Sequence, residues 1–231
     1  MSEISITAGD GGTFGAYIAM PEKTPAPGVV LLQEVYGVNR FMQRITDHWA
    51  SQGFVAVAPH VYWRIAPGVV LDPEVDGARD EARALGQKLD VDQAVKDVGA
   101  VVAHLRGMPE CTGKVGTSGY CLGGKLAYLN AARGDADCNV SYYGVGIETL
   151  LDEAPNIKNP LMLHMGEADP WTPLEVRKQI EGVLAGFMHV GLYSYPDTDH
   201  AFAREGASSD VPEMRELANG RTLKFFRKHL S

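Results

Sequence analysis

The chain has 231 residues, of which 45% are hydrophobic and 22% charged, and its net charge at pH 7 is −8. This acidic balance argues against nucleic acid or an anionic membrane as a principal partner. No apolar run approaches the roughly 20 residues that a membrane span requires, and the first residues lack a signal-peptide pattern. We expect one domain over residues 1–231 and a cytoplasmic location.

Short apolar runs alternate with helical segments along the chain. A hairpin is predicted over 4–7 and 14–19, because both segments alternate around a glycine pair. Continuous apolar runs predict buried strands over 28–32, 54–58, 114–118, 139–143, 160–165 and 191–195. Periodic segments predict helices over 39–52, 76–89, 91–106, 125–132, 173–187 and 212–229, with an irregular stretch over 60–75. This order predicts an α/β fold with a mostly parallel sheet covered on both faces.

A Gly-x-Cys-x-Gly sequence, residues 119–123, stands between a predicted strand and a predicted helix. Strand, Gly-x-nucleophile-x-Gly, helix is the nucleophile-elbow pattern. The glycines permit a tight, strained turn that lifts Cys121 above the sheet edge, at a helix N-terminus that favours negative charge. Most such elbows carry serine, so cysteine here predicts thiolate chemistry. The other cysteines, Cys111 and Cys138, form no Cys-x-x-Cys pair, and we expect neither a disulfide framework nor a metal site.

A cysteine nucleophile needs a base, and the base needs an orienting group. In a hydrolase-type sheet these groups follow the nucleophile in the order acid, then histidine, each just after a strand. Asp169 and His200 satisfy both the order and the placement. We therefore predict the triad Cys121, Asp169 and His200. Among the other histidines only His60 also follows a strand, which leaves it as a rival base.

Glu34 is a further carboxylate of interest, because it follows the predicted strand 28–32 and should point towards the same sheet edge as Cys121. A solvent-facing loop position is the alternative. Close to the thiol, Glu34 would disfavour the thiolate by like-charge repulsion and could accept the S–H proton. It could then keep Cys121 protonated until something displaces or neutralises it.

Several stretches of the chain match a known family. They are residues 33–39, with the pattern Gln-Glu-x-x-Gly-x-Asn, and residues 114–124, 142–146, 164–166 and 200–204. Together they resemble the dienelactone hydrolases of the α/β-hydrolase superfamily over nearly the whole chain. The resemblance implies the single-domain α/β-hydrolase fold. It also implies hydrolysis of the ester of a five-membered dienelactone that carries a free carboxylate, in the breakdown of catechols and chlorocatechols.

The resemblance also implies roles for the site residues. Cys121 is then the nucleophile that forms a thioester, with His200 as base, Asp169 as its partner and Glu34 as the carboxylate that governs the thiol. An oxyanion hole would come from two backbone N–H groups, those of Leu122 and Val35. No metal or organic cofactor is implied.

The expected substrate contacts follow from the same resemblance. Arg204 matches an arginine that pairs with the glutamate and with the substrate carboxylate, and Arg79 matches a second carboxylate-binding arginine. Tyr36, which replaces a common phenylalanine, and Tyr142 are also expected at the substrate. Bulky aromatic residues of the family are replaced here by Arg83 and Gly86, which predicts a wider and more cationic pocket.

Three functions remain open at this point. The first is hydrolysis of a small anionic lactone, and the second is a broader carboxylesterase or thioesterase activity on the same fold. The third is a non-catalytic thiol sensor, which would carry a persistently oxidised Cys121 without ester turnover. Nothing in the sequence demands an oligomer, so a monomer is expected.

Overall fold

The computed structural model describes residues 2–231, which fold around an eight-stranded sheet flanked by helices. The strands are β1 Ser2–Thr7, β2 Thr13–Ala19, β3 Ala26–Leu32, β4 Val55–Pro59, β5 Cys111–Tyr120, β6 Cys138–Tyr142, β7 Leu161–Gly166 and β8 Val190–Tyr195. The α-helices are α1 Arg40–Ser51, α2 Ala78–Lys88, α3 Val91–Gly107, α4 Leu122–Arg133, α5 Leu174–Leu184 and α6 Pro212–His229. A 3₁₀ helix covers Ile147–Asn156.

The strands lie in the order β1-β2-β4-β3-β5-β6-β7-β8. Strand β1 pairs antiparallel with β2, and β2 pairs antiparallel with β4. The other six strands, β4, β3, β5, β6, β7 and β8, run parallel to one another. Their carboxyl ends therefore meet at one edge of the sheet, where ligand sites of α/β folds form. The predicted mostly parallel sheet of an α/β-hydrolase fold is confirmed.

The central strands are buried on both faces, which explains their continuous apolar runs. In β3, Val30 and Leu32 pack in a cluster with residues of α3, α4 and α5. Val29 and Leu31 point to the opposite face and pack with residues of α1 and α6. Successive side chains of a strand alternate between the two faces, so a strand covered by helices on both sides must be apolar throughout.

Some local features differ from the sequence-based expectations. Helix α5 ends at Leu184, earlier than the predicted residue 187, because Gly186 follows and glycine disfavours a helix interior. The 3₁₀ helix was not predicted, although Ile147, Leu151 and Ala154 form its buried face. Pro155 lies inside it and lacks the N–H of a regular helix. None of the helices described for residues 2–231 is long and apolar enough to cross a membrane.

Candidate active site

Cys121 occupies the turn between β5 and α4 in a strained backbone conformation, with φ 55° and ψ −113°. Its N–H donates to the backbone oxygen of Tyr142 at 3.0 Å, and its carbonyl accepts from Lys125 N at 3.2 Å. A non-glycine residue in such a region carries a strain of about 1–3 kcal/mol. The surrounding hydrogen bonds therefore hold the thiol-bearing residue in a position that it would not adopt by itself.

The glycines of the elbow allow the helix to approach the sheet closely. A side chain on Gly119 would overlap the backbone of Gly123, and a side chain on Gly123 would overlap the backbone oxygen of Leu32. Helix α4 therefore begins directly above the ends of β5 and β3. This is the close packing that the Gly-x-Cys-x-Gly pattern predicts.

The predicted acid and base are in contact. His200 Nδ1 lies 2.8 Å from Asp169 Oδ2, and the Asp169 side chain is fully buried. The second oxygen of Asp169 accepts the backbone N–H of Trp171 at 2.8 Å, which fixes the carboxylate. Because β7 and β8 are neighbours, the residues after them converge on the same part of the sheet edge.

The environment of His200 favours its charged form. Burial lowers the pKa of His200, but hydrogen bonds and charge interactions with Asp169 and Cys121 raise it, to about 10 in total. The carboxylate of Asp169 and a thiolate at Cys121 thus both favour the imidazolium form of His200. An imidazolium in this position stabilises a thiolate.

Replacing Asp169 with asparagine is expected to lower the pKa of His200, because the substitution removes the negative charge that supports the imidazolium. Folding raises the pKa of His200 from 6.5 to about 10, so the folded state binds the proton more tightly than the unfolded state does. The resulting stabilisation is fully present below pH 6.5 and is lost as the pH rises through about 10. The stability difference between wild type and Asp169→Asn should therefore shrink above that pH. NMR titration of the His200 ring and urea unfolding at several pH values measure both effects.

Glu167→Gln is the matched control, because it removes an exposed carboxylate two residues away. An unchanged pKa of His200 in Asp169→Asn would contradict the proposed coupling.

The rival base His60 lies elsewhere. Its Nε2 is 3.4 Å from Glu3 Oε2, so it faces β1 at the antiparallel end of the sheet. Asp169 pairs with His200 and not with His60.

Glu34 and Arg204 form a buried ion pair with two hydrogen bonds. Arg204 Nε lies 2.8 Å from Glu34 Oε2, and the terminal nitrogen Nη2 lies 3.1 Å from Oε1. Burial lowers the pKa of Arg204, but the charge and hydrogen bonds of Glu34 raise it by more. The guanidinium also lies 5.3 Å from the ring centroid of Tyr36. Both oxygens of Glu34 are thus occupied by Arg204.

The segment between β8 and α6 carries both His200 and Arg204. Arg44 of α1 donates to the backbone oxygen of Glu205 at 2.8 Å. The backbone N–H of Val211 donates to the oxygen of Phe202 at 3.0 Å. The first contact ties the segment to α1, and the second closes the segment on itself.

Helix α2 carries Arg79 and Arg83, and Arg83 lies close to the Asp169 turn. Arg83 is exposed, and its guanidinium lies 4.6 Å from the ring centroid of Trp171, next to the Asp169 turn. Arg79 is also exposed and lies one helical turn earlier on the same side. Gly86 faces Val35: a Cβ placed on this glycine would be 3.4 Å from Val35 Cγ1. Binding of substrate by Arg79, Arg83 and Tyr36 remains a prediction.

The predicted oxyanion donors flank the nucleophile. Leu122 is the first residue of α4, so its backbone N–H has no partner within the helix. Val35 follows β3, which pairs with β5, the strand that ends beside Cys121. This placement is compatible with the oxyanion hole that the resemblance implies, and the role of both N–H groups remains a prediction.

Tyr142 requires a correction. Its side chain is fully buried, and its hydroxyl is hydrogen-bonded to Asn219 Oδ1 at 3.0 Å and Thr222 Oγ1 at 2.7 Å, both in α6. The Tyr142 side chain thus points towards α6, where its hydroxyl is hydrogen-bonded. The expectation that Tyr142 contacts the substrate is therefore wrong. Tyr142 contributes through its backbone oxygen, which holds Cys121.

The sequence reasoning missed three side chains near the site. Tyr143, with a φ of 39°, packs its ring edge-on to His200, with 5.1 Å between ring centroids. Gln33 links two strand ends, because it donates to the backbone oxygen of Glu34 and accepts from Val61 N at 3.1 Å. Tyr62 follows β4. All three lie at or just after strand ends, and this position was the signal that could have identified them.

Comparisons with known proteins agree with this geometry. Residues 14–230 match the dienelactone hydrolase family. A carboxymethylenebutenolidase from Pseudomonas putida is 42% identical over 222 residues, covering 96% of this chain and 94% of that protein. A candidate carboxymethylenebutenolidase from Azospirillum brasilense is 41% identical over 241 residues and is matched over 100% of both chains.

Solved structures show the same fold. A candidate dienelactone hydrolase from Klebsiella pneumoniae has a TM-score of 0.84 at 24% identity, covering 98% of this chain and 99% of that one. The family match, the relatives and the fold lead to one conclusion. The chain belongs to the dienelactone hydrolase family and is a hydrolase with the α/β-hydrolase fold.

Proposed function

We propose that this protein hydrolyses a carboxylate-bearing dienelactone, 4-carboxymethylenebut-2-en-4-olide, to maleylacetate through a thioester on Cys121. The observation that carries the proposal is the buried pair of Glu34 and Arg204 near the triad. A buried arginine can bind the carboxylate of an anionic substrate, whereas a neutral ester has no charged group for it to bind. The relatives named carboxymethylenebutenolidase support the same reaction. In a cell, the reaction would serve the degradation of catechols and chlorocatechols.

The ion pair provides a switch that responds to the substrate. The carboxylate of the lactone has the same chemistry as that of Glu34, so it can compete for the guanidinium of Arg204. Once released, Glu34 can accept the proton of Cys121. A neutral ester offers no carboxylate for this exchange and should leave the thiol protonated.

Acylation begins when the Cys121 thiolate, stabilised by the His200 imidazolium, attacks the lactone carbonyl carbon. The new C–S bond moves an electron pair onto the carbonyl oxygen, where the N–H groups of Leu122 and Val35 would stabilise the charge. The ring C–O bond then breaks, and the departing enolate oxygen takes a proton from His200. The acyl group remains on Cys121 as a thioester.

Deacylation uses the neutral His200 that acylation leaves behind. His200 accepts a proton from water, the hydroxide adds to the thioester, and the C–S bond breaks. The released enol then tautomerises to the ketone, maleylacetate. The product carries one more carboxylate than the lactone, so one proton is released to solvent in each turnover. This proton can leave through Glu34, which took it from Cys121.

The test compares cis- and trans-dienelactone with p-nitrophenyl acetate in steady-state hydrolysis. We expect kcat/KM for at least one lactone to exceed that for the neutral ester by about 10²-fold or more. Arg83→Gln should raise KM for the lactone without affecting the neutral ester, because only the lactone is anionic. Arg227→Gln in α6, a helix on which no predicted substrate residue lies, is the control.

The alternatives give different results in the same assay. Equal or better turnover of neutral esters or thioesters would favour the broader carboxylesterase or thioesterase function. Absence of ester turnover together with stable oxidation of Cys121 would favour the thiol sensor.

A further inference from the structure

Tyr62 has a buried hydroxyl without a partner. The residue is 1% exposed, and its hydroxyl makes no hydrogen bond within residues 2–231. Buried polar groups in native proteins are nearly always hydrogen-bonded, and an unpaired one is destabilising. A buried hydroxyl left in this state has the properties of a group that binds a ligand.

The position of Tyr62 is fixed by the neighbouring strand end. The backbone N–H of Val61 donates to Gln33 Oε1 at 3.1 Å, which ties the segment after β4 to the end of β3. A Cβ placed on Gly86 would be 3.7 Å from the Tyr62 hydroxyl and 3.4 Å from Val35 Cγ1. The hydroxyl and the side chain of Val35 therefore both border Gly86 of α2, and the backbone N–H of Val35 is an expected oxyanion donor.

The hydroxyl remains a hydrogen-bond donor. Burial raises the pKa of Tyr62, and the negative charge of Cys121 raises it further. Tyr62 is therefore protonated throughout the physiological pH range. It can donate a hydrogen bond to a developing negative charge without losing its proton.

We propose that Tyr62 is a third donor of the oxyanion site, alongside the backbone N–H groups of Leu122 and Val35; this inference rests on the proposed function. As the Cys121 Sγ–carbon bond forms, the π electron pair of the carbonyl moves onto oxygen, and the Tyr62 hydroxyl donates a hydrogen bond to that oxygen. The same oxygen becomes negative again when hydroxide adds to the thioester. Tyr62 therefore assists both acylation and deacylation.

The test is Tyr62→Phe in the full chain, which removes only the hydroxyl. We expect kcat to fall by about 10²-fold with KM little changed, for the dienelactones and for p-nitrophenyl acetate, since every ester forms the same oxyanion. Single-turnover acylation and subsequent thioester hydrolysis should both slow. The melting temperature should stay the same or rise, because an unpaired buried hydroxyl has been removed.

Tyr128→Phe is the matched control. The Tyr128 hydroxyl donates to the backbone oxygen of Leu150 at 3.1 Å, in the packing between α4 and the 3₁₀ helix. We expect this variant to melt at a lower temperature and to keep its kcat. Tyr62→Phe should thus lose kcat and keep or raise its melting temperature, whereas Tyr128→Phe should keep kcat and melt at a lower temperature.

The outcomes separate this inference from the proposed function. A kcat of Tyr62→Phe within about 2-fold of wild type, or a lowered melting temperature with unchanged acylation, would overturn the role of Tyr62. If the wild type hydrolyses p-nitrophenyl acetate but no dienelactone, the proposed function fails. The role of Tyr62 is then still tested by the kcat of Tyr62→Phe for p-nitrophenyl acetate. If neither ester acylates wild-type Cys121, both proposals are overturned.

Discussion

Cys121→Ala is expected to abolish ester hydrolysis, with kcat falling by about 10⁴-fold or more, while the chain stays folded. Without the sulfur no thioester can form, and the remaining groups can only bind and polarise the ester. Steady-state hydrolysis of dienelactone, together with a circular dichroism spectrum, measures both parts of the prediction. Cys111→Ala is the control, because Cys111 lies at the opposite end of β5, and it should retain wild-type kcat. Turnover by Cys121→Ala above this limit would contradict the assignment of the nucleophile.

The same position also tests the backbone strain. Glycine adopts the conformation of Cys121, with φ 55°, more readily than alanine does. We therefore expect Cys121→Gly to be about 1–3 kcal/mol more stable than Cys121→Ala in urea unfolding, although both are inactive. Equal stability of the two variants would show that the turn is not strained.

Glu34→Gln is expected to reduce both stability and the rate of acylation. The guanidinium of Arg204 is largely buried, and the neutral amide leaves its charge uncompensated, which should cost about 3 kcal/mol or more. Acylation should slow by about 10²-fold or more, because an amide cannot accept the proton of Cys121. The sequence alone predicts only the slower acylation with an intact fold, whereas the ion pair adds the loss of stability. Urea unfolding and single-turnover acylation measure the two effects.

Two further variants separate these effects. Asp97→Asn breaks the part-buried pair with Arg64, which involves none of the predicted site residues, and should reduce stability without slowing acylation. The double variant Glu34→Gln, Arg204→Met removes both charges and should regain stability without regaining rate. A wild-type acylation rate in Glu34→Gln would contradict the role of Glu34 as acceptor of the thiol proton.

The sequence predicts the sheet and the triad because both depend on local signals. Strands buried on both faces must be apolar, and parallel strands bring the residues after their carboxyl ends to one edge. The order of Cys121, Asp169 and His200 could therefore be interpreted without coordinates. The pair of Glu34 and Arg204 could not, because 170 residues separate them and only the resemblance connects them.

Tyr142 and Tyr143 show where sequence reasoning reaches its limit. Neighbouring residues at a strand end point to opposite sides, so a shift of one residue decides which of the two tyrosines meets His200. The predicted strand ended at residue 143, whereas β6 ends at Tyr142. The side chain that packs against His200 is that of Tyr143, while Tyr142 faces α6. Apolar patterning cannot resolve this choice between adjacent aromatic residues.

His200 and Arg204 lie on one connection, the segment between β8 and α6. Its links to the rest of the protein include the contact of His200 with Asp169, the ion pair of Arg204 with Glu34 and the hydrogen bond from Arg44 to the Glu205 backbone oxygen. Local opening of this connection would remove His200 and Arg204 together, even with every strand in place. Such an opening has to break both pairs and expose the fully buried ring of Phe202, so the contacts that bind the segment to the sheet also keep the site assembled.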